Sequence, residues 1–370
     1  MDIALAGLVC VILAVISKKL SLPSVPSYIL AGLVLGSGGL GILRADEVSN
    51  AIAEAGVIML LFYIGVNLNP KEISEKREMI FHSGLYDFLI NFSVIYIISV
   101  LAGFSHVQAF LVASALYISS SAIVLQSLIE NRKLIYRESE IVIWIMVFED
   151  IVIAILIVLN NPESSDLFLF MVKVLVFTAI TYMLSSYMPR LLGSLFQRED
   201  EIPALFAFTV ALLGIAFEEF FHIPAGYSAI MLGLMLSGIK KLREIILPFK
   251  DVFLVLFFFF FGISVKLSTD GLILGIALAA VAAAGKITSG LITGRYLLKS
   301  WLSGLEIGLD TVARGEFSIF LIFAFGIGSE ISAVTTAVII TSIAGAFMSK
   351  NSERIKSLAF RMAERVSRTR

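Results

Sequence analysis

Apolar runs of membrane-spanning length follow one another from residue 3 to residue 349, with only short polar links between them. A helix needs about 20 apolar residues to cross a bilayer core. Thirteen such segments are predicted, at residues 3–16, 24–43, 52–67, 80–103, 107–129, 139–159, 168–191, 202–220, 224–239, 249–267, 271–297, 303–326 and 331–349. Several are short or interrupted by Gly and Pro, and no link is long enough to hold a soluble domain. The first run begins almost at Met1 without a basic leader, so it reads as a span rather than a signal peptide. Composition points the same way. Of 370 residues, 58% are apolar and 15% charged, against about 45–50% and about 25% in soluble domains. That excess argues against a soluble enzyme, and a net charge of −1 offers nucleic acid no basic surface. A single cysteine, Cys10, cannot form an internal disulfide.

Basic residues test the count. The even-numbered links hold Arg44 and Lys266, and the span interiors hold Lys173, Lys286 and Arg314. With span boundaries loose by a few residues, the rest of the 28 Lys and Arg fall in or at the edge of odd-numbered links and in the tail from Lys350, among them Lys18, Lys76, Arg132, Lys133 and Lys240. Cytoplasmic links attract Lys and Arg. The expected topology in a cell membrane therefore has the odd links and the C-terminus in the cytoplasm and the N-terminus outside. Residues 350–370 read as a basic amphipathic tail lying along the membrane surface.

Two stretches resemble each other. Pro23-Ser24-Val25-Pro26-Ser27-Tyr28-Ile29-Leu30-Ala31-Gly32 opens span 2, and Pro224-Ala225-Gly226-Tyr227-Ser228-Ala229-Ile230-Met231-Leu232-Gly233 opens span 9. Phe62-Tyr63-Ile64-Gly65-Val66-Asn67 in span 3 echoes Phe260-Phe261-Gly262-Ile263-Ser264 in span 10. The offset of seven spans is odd, so the second copy is inverted relative to the first. The predicted fold is an all-α polytopic membrane protein with two inverted six-helix repeats joined by a linker helix, the plan of a secondary transporter. The phenylalanine run 257–261 reads as lipid or dimer packing.

Charge inside a bilayer needs a partner, a cavity or a function. Span 6 carries Glu149 and Asp150 side by side in an otherwise apolar run. A carboxylate there can hold a proton or a desolvated cation, and that competition suffices for exchange. Lys286, among small residues of span 11, is the natural counter-ion for either carboxylate. Spans 5 and 12 are interrupted at Ser119-Ser120-Ser121 and at Asp310-Thr311-Val312-Ala313-Arg314-Gly315-Glu316. Broken helices expose carbonyls and helix ends that can line a cation site. In span 12, local pairing of Asp310 with Arg314 and Glu316 is expected. Asp87 and Asn91, one turn apart on span 4, read either as pathway lining or as a structural pair. Asn67 either lines a pathway or caps span 3. His82, His106 and His222 lack metal-ligand spacing.

These residues together resemble the second cation-proton-antiporter family of monovalent cation/proton antiporters. The resemblance is carried by Leu22-Pro23-Ser24-Val25-Pro26-Ser27-Tyr28, Gly56 to Gly65, Ser119 to Gln126, Phe148-Glu149-Asp150 and Arg314-Gly315-Glu316-Phe317. It implies a homodimer of thirteen-helix protomers. Residues 1–78 and 202–269 would form a scaffold and dimerisation domain, residues 79–160 and 270–349 a mobile ion-transport core, and residues 161–201 a linker around span 7. Spans 5 and 12 would cross as discontinuous helices. Asp150 matches the family's cation- and proton-binding aspartate, Ser121 a Ser/Thr position at the span 5 break, with Ser120 beside it, and Lys286 a lysine paired with position 149. The chain departs from the family at Glu149, where members carry Asp, Asn or Gln, and at Asn67, where Glu is usual.

The expected function is secondary antiport, Na+ against H+, by alternating access around Asp150. Exchange would be electrogenic if the Glu149–Lys286 pair yields a second proton. K+/H+ antiport is the alternative, and a channel or sensor of the same fold is more remote. The transported ions stand in place of any cofactor, and the remaining partner is the lipid bilayer.

Overall fold

The computed structural model describes all residues except 1, 20–23, 37–38, 45, 69, 161–166, 266–267, 327, 329 and 369–370. Leu22 and Pro23 of the sequence motifs and Lys266 of the charge pattern lie outside the described residues. Among those described there is no strand. In chain order the helices are α1 (Asp2–Lys19), α2 (Ser24–Leu35), α3 (Glu47–Asn67), α4 (Pro70–Glu75), α5 (Arg77–Leu101), α6 (His106–Tyr117), α7 (Ser121–Glu130), α8 (Arg137–Asn160) and α9 (Leu167–Ser185). There follow α10 (Met188–Leu192), α11 (Ile202–Phe221), α12 (Ala225–Met235), α13 (Lys240–Ser264), α14 (Thr269–Leu297), α15 (Trp301–Asp310), α16 (Glu316–Phe325) and α17 (Glu330–Arg368). Each predicted span falls on a helix or, for spans 5, 7 and 12, on a helix pair. Among the described residues, 7 helices are long and apolar enough to cross a membrane by themselves. Shorter apolar helices accompany them, so the chain is a multi-pass membrane protein.

The chain divides into two compact units. One comprises Met1–Cys10, Ala31–Lys76 and Asp150–Ser264. Its helices touch backbone to backbone through glycine. A Cβ on Gly32 of α2 would run into the Phe259 carbonyl of α13 and lie 2.9 Å from Ile263 N and 3.0 Å from Gly262 Cα. A Cβ on Gly233 of α12 would meet α3 in the same way, at the Phe62 carbonyl, 2.9 Å from Val66 N and 3.0 Å from Gly65 Cα. Small residues permit such approach where helices associate without a strong hydrophobic drive. The two crossings match atom for atom: each copy of the Pro–Gly motif lies on the glycine of the other copy's downstream motif. The phenylalanine run is corrected by this packing. Phe257 to Phe261 are all buried, at most 2% exposed, so they face neither lipid nor a second subunit.

The other unit comprises Val11–Leu30, Arg77–Glu149 and Val265–Arg370. Here α14 is the central helix, with α5, α15 and α17 against it. Gly290 and Gly294 of α14 meet Gly308 and Gly304 of α15, again backbone to backbone. Gly84 of α5 lies against the Phe148 side chain of α8. The last span does not end near Lys350; α17 is one helix of 39 residues, and Ser349, Ser352 and Lys356 are engaged within the unit.

Gly65→Ala and Gly233→Ala are expected to destabilise the detergent-solubilised protein by about 1–3 kcal/mol each, the usual cost of overpacking. Gly7→Ala, whose added Cβ meets nothing within 4 Å, is the control expected to leave the melting temperature unchanged or slightly raised. Thermal unfolding followed by circular dichroism checks all three.

Candidate functional site

Two helices break where the sequence is richest in weak helix formers. After α6, Ile118 turns extended and Ser120 caps α7, its hydroxyl accepting from the Ile123 amide. After α15, the chain runs non-helically through Thr311–Gly315 before α16. The two breaks meet. Ser120 N donates to the Ala313 carbonyl at 2.8 Å. Ser119 Oγ donates to the Thr311 carbonyl at 3.0 Å, and Ser120 Oγ to Glu316 Oε2 at 2.7 Å. A Cβ at Gly315 would overlap the Ser120 side chain, so only glycine lets the two breaks come this close.

Breaking a helix orphans carbonyls at its C-terminal end, and Arg314 collects them. Its Nε donates to the Leu116 carbonyl at 2.6 Å, near the end of α6. Its Nη1 donates to the Thr311 and Val312 carbonyls at 3.1 and 2.9 Å, just past α15. Both helix ends carry partial negative charge from the helix dipole, and the fully buried guanidinium answers both. At the opposite polarity, Glu316 sits in the first turn of α16, where a negative charge is favoured. The expected local pairing inside span 12 does not form: Arg314 binds carbonyls, Glu316 binds Ser120, and Asp310 binds Lys133.

Beside this crossing lies a buried charge cluster. Lys286 Nζ on α14 donates to Asp87 Oδ2 on α5 at 2.5 Å and, still closer, to Glu149 Oε1 on α8. Glu149 is fixed further by the Ser119 amide at 2.9 Å, and its Oε1 lies 3.0 Å from the Ser119 hydroxyl, whose one proton serves either it or the Thr311 carbonyl. Asp87 Oδ1 accepts from Ser289 Oγ at 2.8 Å and Asn91 Nδ2 at 3.0 Å. The Lys286 ammonium lies 5.1 Å above the Tyr117 ring. Lys286, Asp87 and Glu149 are each at most 1% exposed. The predicted Glu149–Lys286 pair is therefore present, with Asp87 as a second carboxylate. Asp87 and Asn91 are joined to each other, and through them to Lys286 and Ser289. Asp150 follows Glu149 on the same helix and is half-buried. Ser121 is the first residue of α7, also half-buried. Asn67 is exposed and donates to the Tyr63 carbonyl at 2.7 Å, tying off the last turn of α3.

A second buried polar cluster went unread in the sequence. Lys133, placed by pattern in a cytoplasmic link, is 1% exposed. Its ammonium lies 3.2 Å from Asp310 Oδ1 and 3.7 Å from Glu306 Oε1, and it donates to the Ser349 carbonyl at 3.0 Å. Ser349 Oγ and Ser352 Oγ donate to Asp310 at 2.8 and 3.0 Å. Lys356 Nζ bridges Glu138 Oε1 at 2.7 Å and Glu306 Oε2 at 2.8 Å. The available signal was spacing: Glu306 and Asp310 share a helix face at i, i+4, as do Ser352 and Lys356.

Comparison with known proteins follows the geometry. A family model described as sodium/hydrogen exchanger, transmembrane, matches residues 5–349. The chain is 28% identical to the K(+)/H(+) antiporter subunit KhtU of Bacillus subtilis, over 96% of this chain and 94% of that one. It is 27% identical to the ammonium/H(+) antiporter subunit AmhT of Alkalihalophilus pseudofirmus, over 85% and 84%. Its fold is similar to the solved sodium proton antiporter MjNhaP1 from Methanocaldococcus jannaschii, with TM-score 0.69, 16% identity and coverage of 97% and 98%.

Lys133→Met is expected to cost about 3–5 kcal/mol, because it strands the buried carboxylates of Asp310 and Glu306. Lys356→Met, at a lysine 29% exposed, is expected to cost about 1 kcal/mol or less. Melting temperatures of the two variants in one detergent give the order.

Proposed function

The chain belongs to the sodium/hydrogen exchanger family, and from that premise we propose that it is a secondary antiporter exchanging Na+ for H+ by alternating access around Asp150. The observation that carries this reading is the buried group of Lys286 between Glu149 and Asp87, beside two broken helices, with Asp150 next in the chain. In one half of the cycle Asp150 holds a proton. In the other it is ionised and holds the cation. Only one ligand fits at a time, so each displaces the other. The helix ends at the breaks, neutralised by Arg314 and Glu316, keep a polar lane through the apolar layer without stranding backbone groups.

The mobile part in this reading is the core of residues 79–160 and 270–349, moving against a scaffold of residues 1–78 and 202–269 that pairs two copies into a homodimer. Residues 161–201 link them. The protein sits in the cell membrane with the C-terminus cytoplasmic and the N-terminus outside, the orientation that the basic links favour.

K+ is the second reading, favoured by the names of relatives, among them KhtU of Bacillus subtilis. In proteoliposomes with an internal pH dye, an imposed Na+ gradient is expected to drive proton movement. Asp150→Asn is expected to reduce that flux at least about 100-fold, to the leak of empty vesicles. Undiminished flux in Asp150→Asn removes Asp150 from the mechanism. Repeating the assay with K+, Li+ and NH4+ ranks the ions, and a K+ response exceeding that to Na+ decides for the second reading.

A further inference from the structure

Lys286 has two carboxylate partners, one more than it needs to be neutralised. The groups that face it are Asp87 from α5, Tyr117 from α6, Glu149 from α8 and Arg314, which donates to the Ala282 carbonyl one turn earlier on α14. At the backbone contacts nearest to it, α15 meets α14 at Gly290 and Gly294 and α17 meets it at Gly275. With all four ionised, Asp87, Glu149, Lys286 and Arg314 sum to zero. Asp87 is itself held in place by Ser289 and Asn91, independently of Glu149.

That arrangement fixes what happens if Glu149 lets go of Lys286 during transport. In a lysine with one carboxylate partner, opening the pair leaves a bare ammonium in an apolar surround, which sheds its proton rather than remain charged. Here the ammonium keeps Asp87. We propose that Asp87 is a positioning residue that holds Lys286 charged through the whole cycle, so that exchange at Asp150 is one proton for one cation and moves no net charge. The step balances. One O–H bond of Asp150 breaks, its proton leaves to the side the site faces, and one cation takes its place on the carboxylate. This rests on the antiporter reading above and adds its stoichiometry.

The test is the null point of exchange in proteoliposomes of the full chain, with the membrane potential held at zero by a permeant anion. In the native protein a tenfold Na+ gradient is expected to be balanced by about one pH unit, the value for one proton per cation. In Asp87→Asn the balance is expected to move toward about half a unit, the value for two protons, and Asp87→Glu is expected to restore it. Ser289→Ala, which removes one of the donors fixing Asp87, shifts the balance in the same direction but less, and serves if Asp87→Asn does not fold. A native null point near half a unit overturns the proposal, as does an Asp87→Asn protein that still balances at one unit. Coupled flux with the wrong null point sinks only the role of Asp87. Absence of any cation-driven proton flux from the native protein sinks the antiporter reading together with it.

Discussion

Backbone that leaves the helix inside an apolar layer has no water to turn to, so each freed carbonyl and amide must find a partner within the protein. This constraint shapes the crossing of α6–α7 with α15–α16. The chain meets it by letting each break serve the other: the Ser120 amide takes the Ala313 carbonyl, and the Ser119 hydroxyl takes that of Thr311. Arg314 then closes what remains, and its own carbonyl accepts from Ser342 on α17. A neutral side chain at 314 could make one or two of these bonds but could not offset two helix dipoles at once. The guanidinium, with five donors in a rigid fork, does both.

Once the breaks are sealed, the neighbouring charges follow from them. Glu149 is held by the Ser119 amide that the α6–α7 break makes available, since inside a continuous helix that N–H would bond four residues back. The carboxylate is thus positioned by the break, Lys286 by the carboxylate, and Asp87 by Lys286 together with Ser289. Buried ion pairs of this kind contribute little net stability against an apolar replacement, and removing one partner is costly. Their presence in the interior therefore points to a task, and the exchange proposed above at Asp150 would be one that uses a fixed electrostatic background. The cluster at Lys133, Asp310 and Glu306 has a different consequence. It ties the α7–α8 connection, α15 and the continuation of α17 into one body, so the half-helix that ends at the break is anchored at its side as well as its tip.

Much of this was readable from residue order. Hydrophobic run lengths gave the spans, because the bilayer imposes its thickness on every helix. Weak helix formers in apolar runs marked both breaks, and the paired motifs at Gly32 and Gly233 marked the two equivalent crossings. Lys286 and Glu149 could be paired because an intramembrane charge needs an opposite one. Asp87 was left between two roles, since its choice depends on which face of α5 turns toward α14. Lys133 was assigned to water because lysine near a helix end nearly always reaches it, and it is the approach of α15 and α17 that covers it.

What the sequence determined by itself is therefore the class of protein, the order and breaks of its helices, and the set of charges that must be satisfied indoors. These follow from local chemistry: hydropathy, helix propensity and the cost of an unpaired ion. Which charges satisfy which was decided only by the tertiary structure. Arg314 answers carbonyls instead of Asp310, Lys286 takes two acids instead of one, and the phenylalanines of α13 turn inward. Each of these depends on the distance between helices far apart in the chain, and that distance is set by where glycine lets two backbones touch.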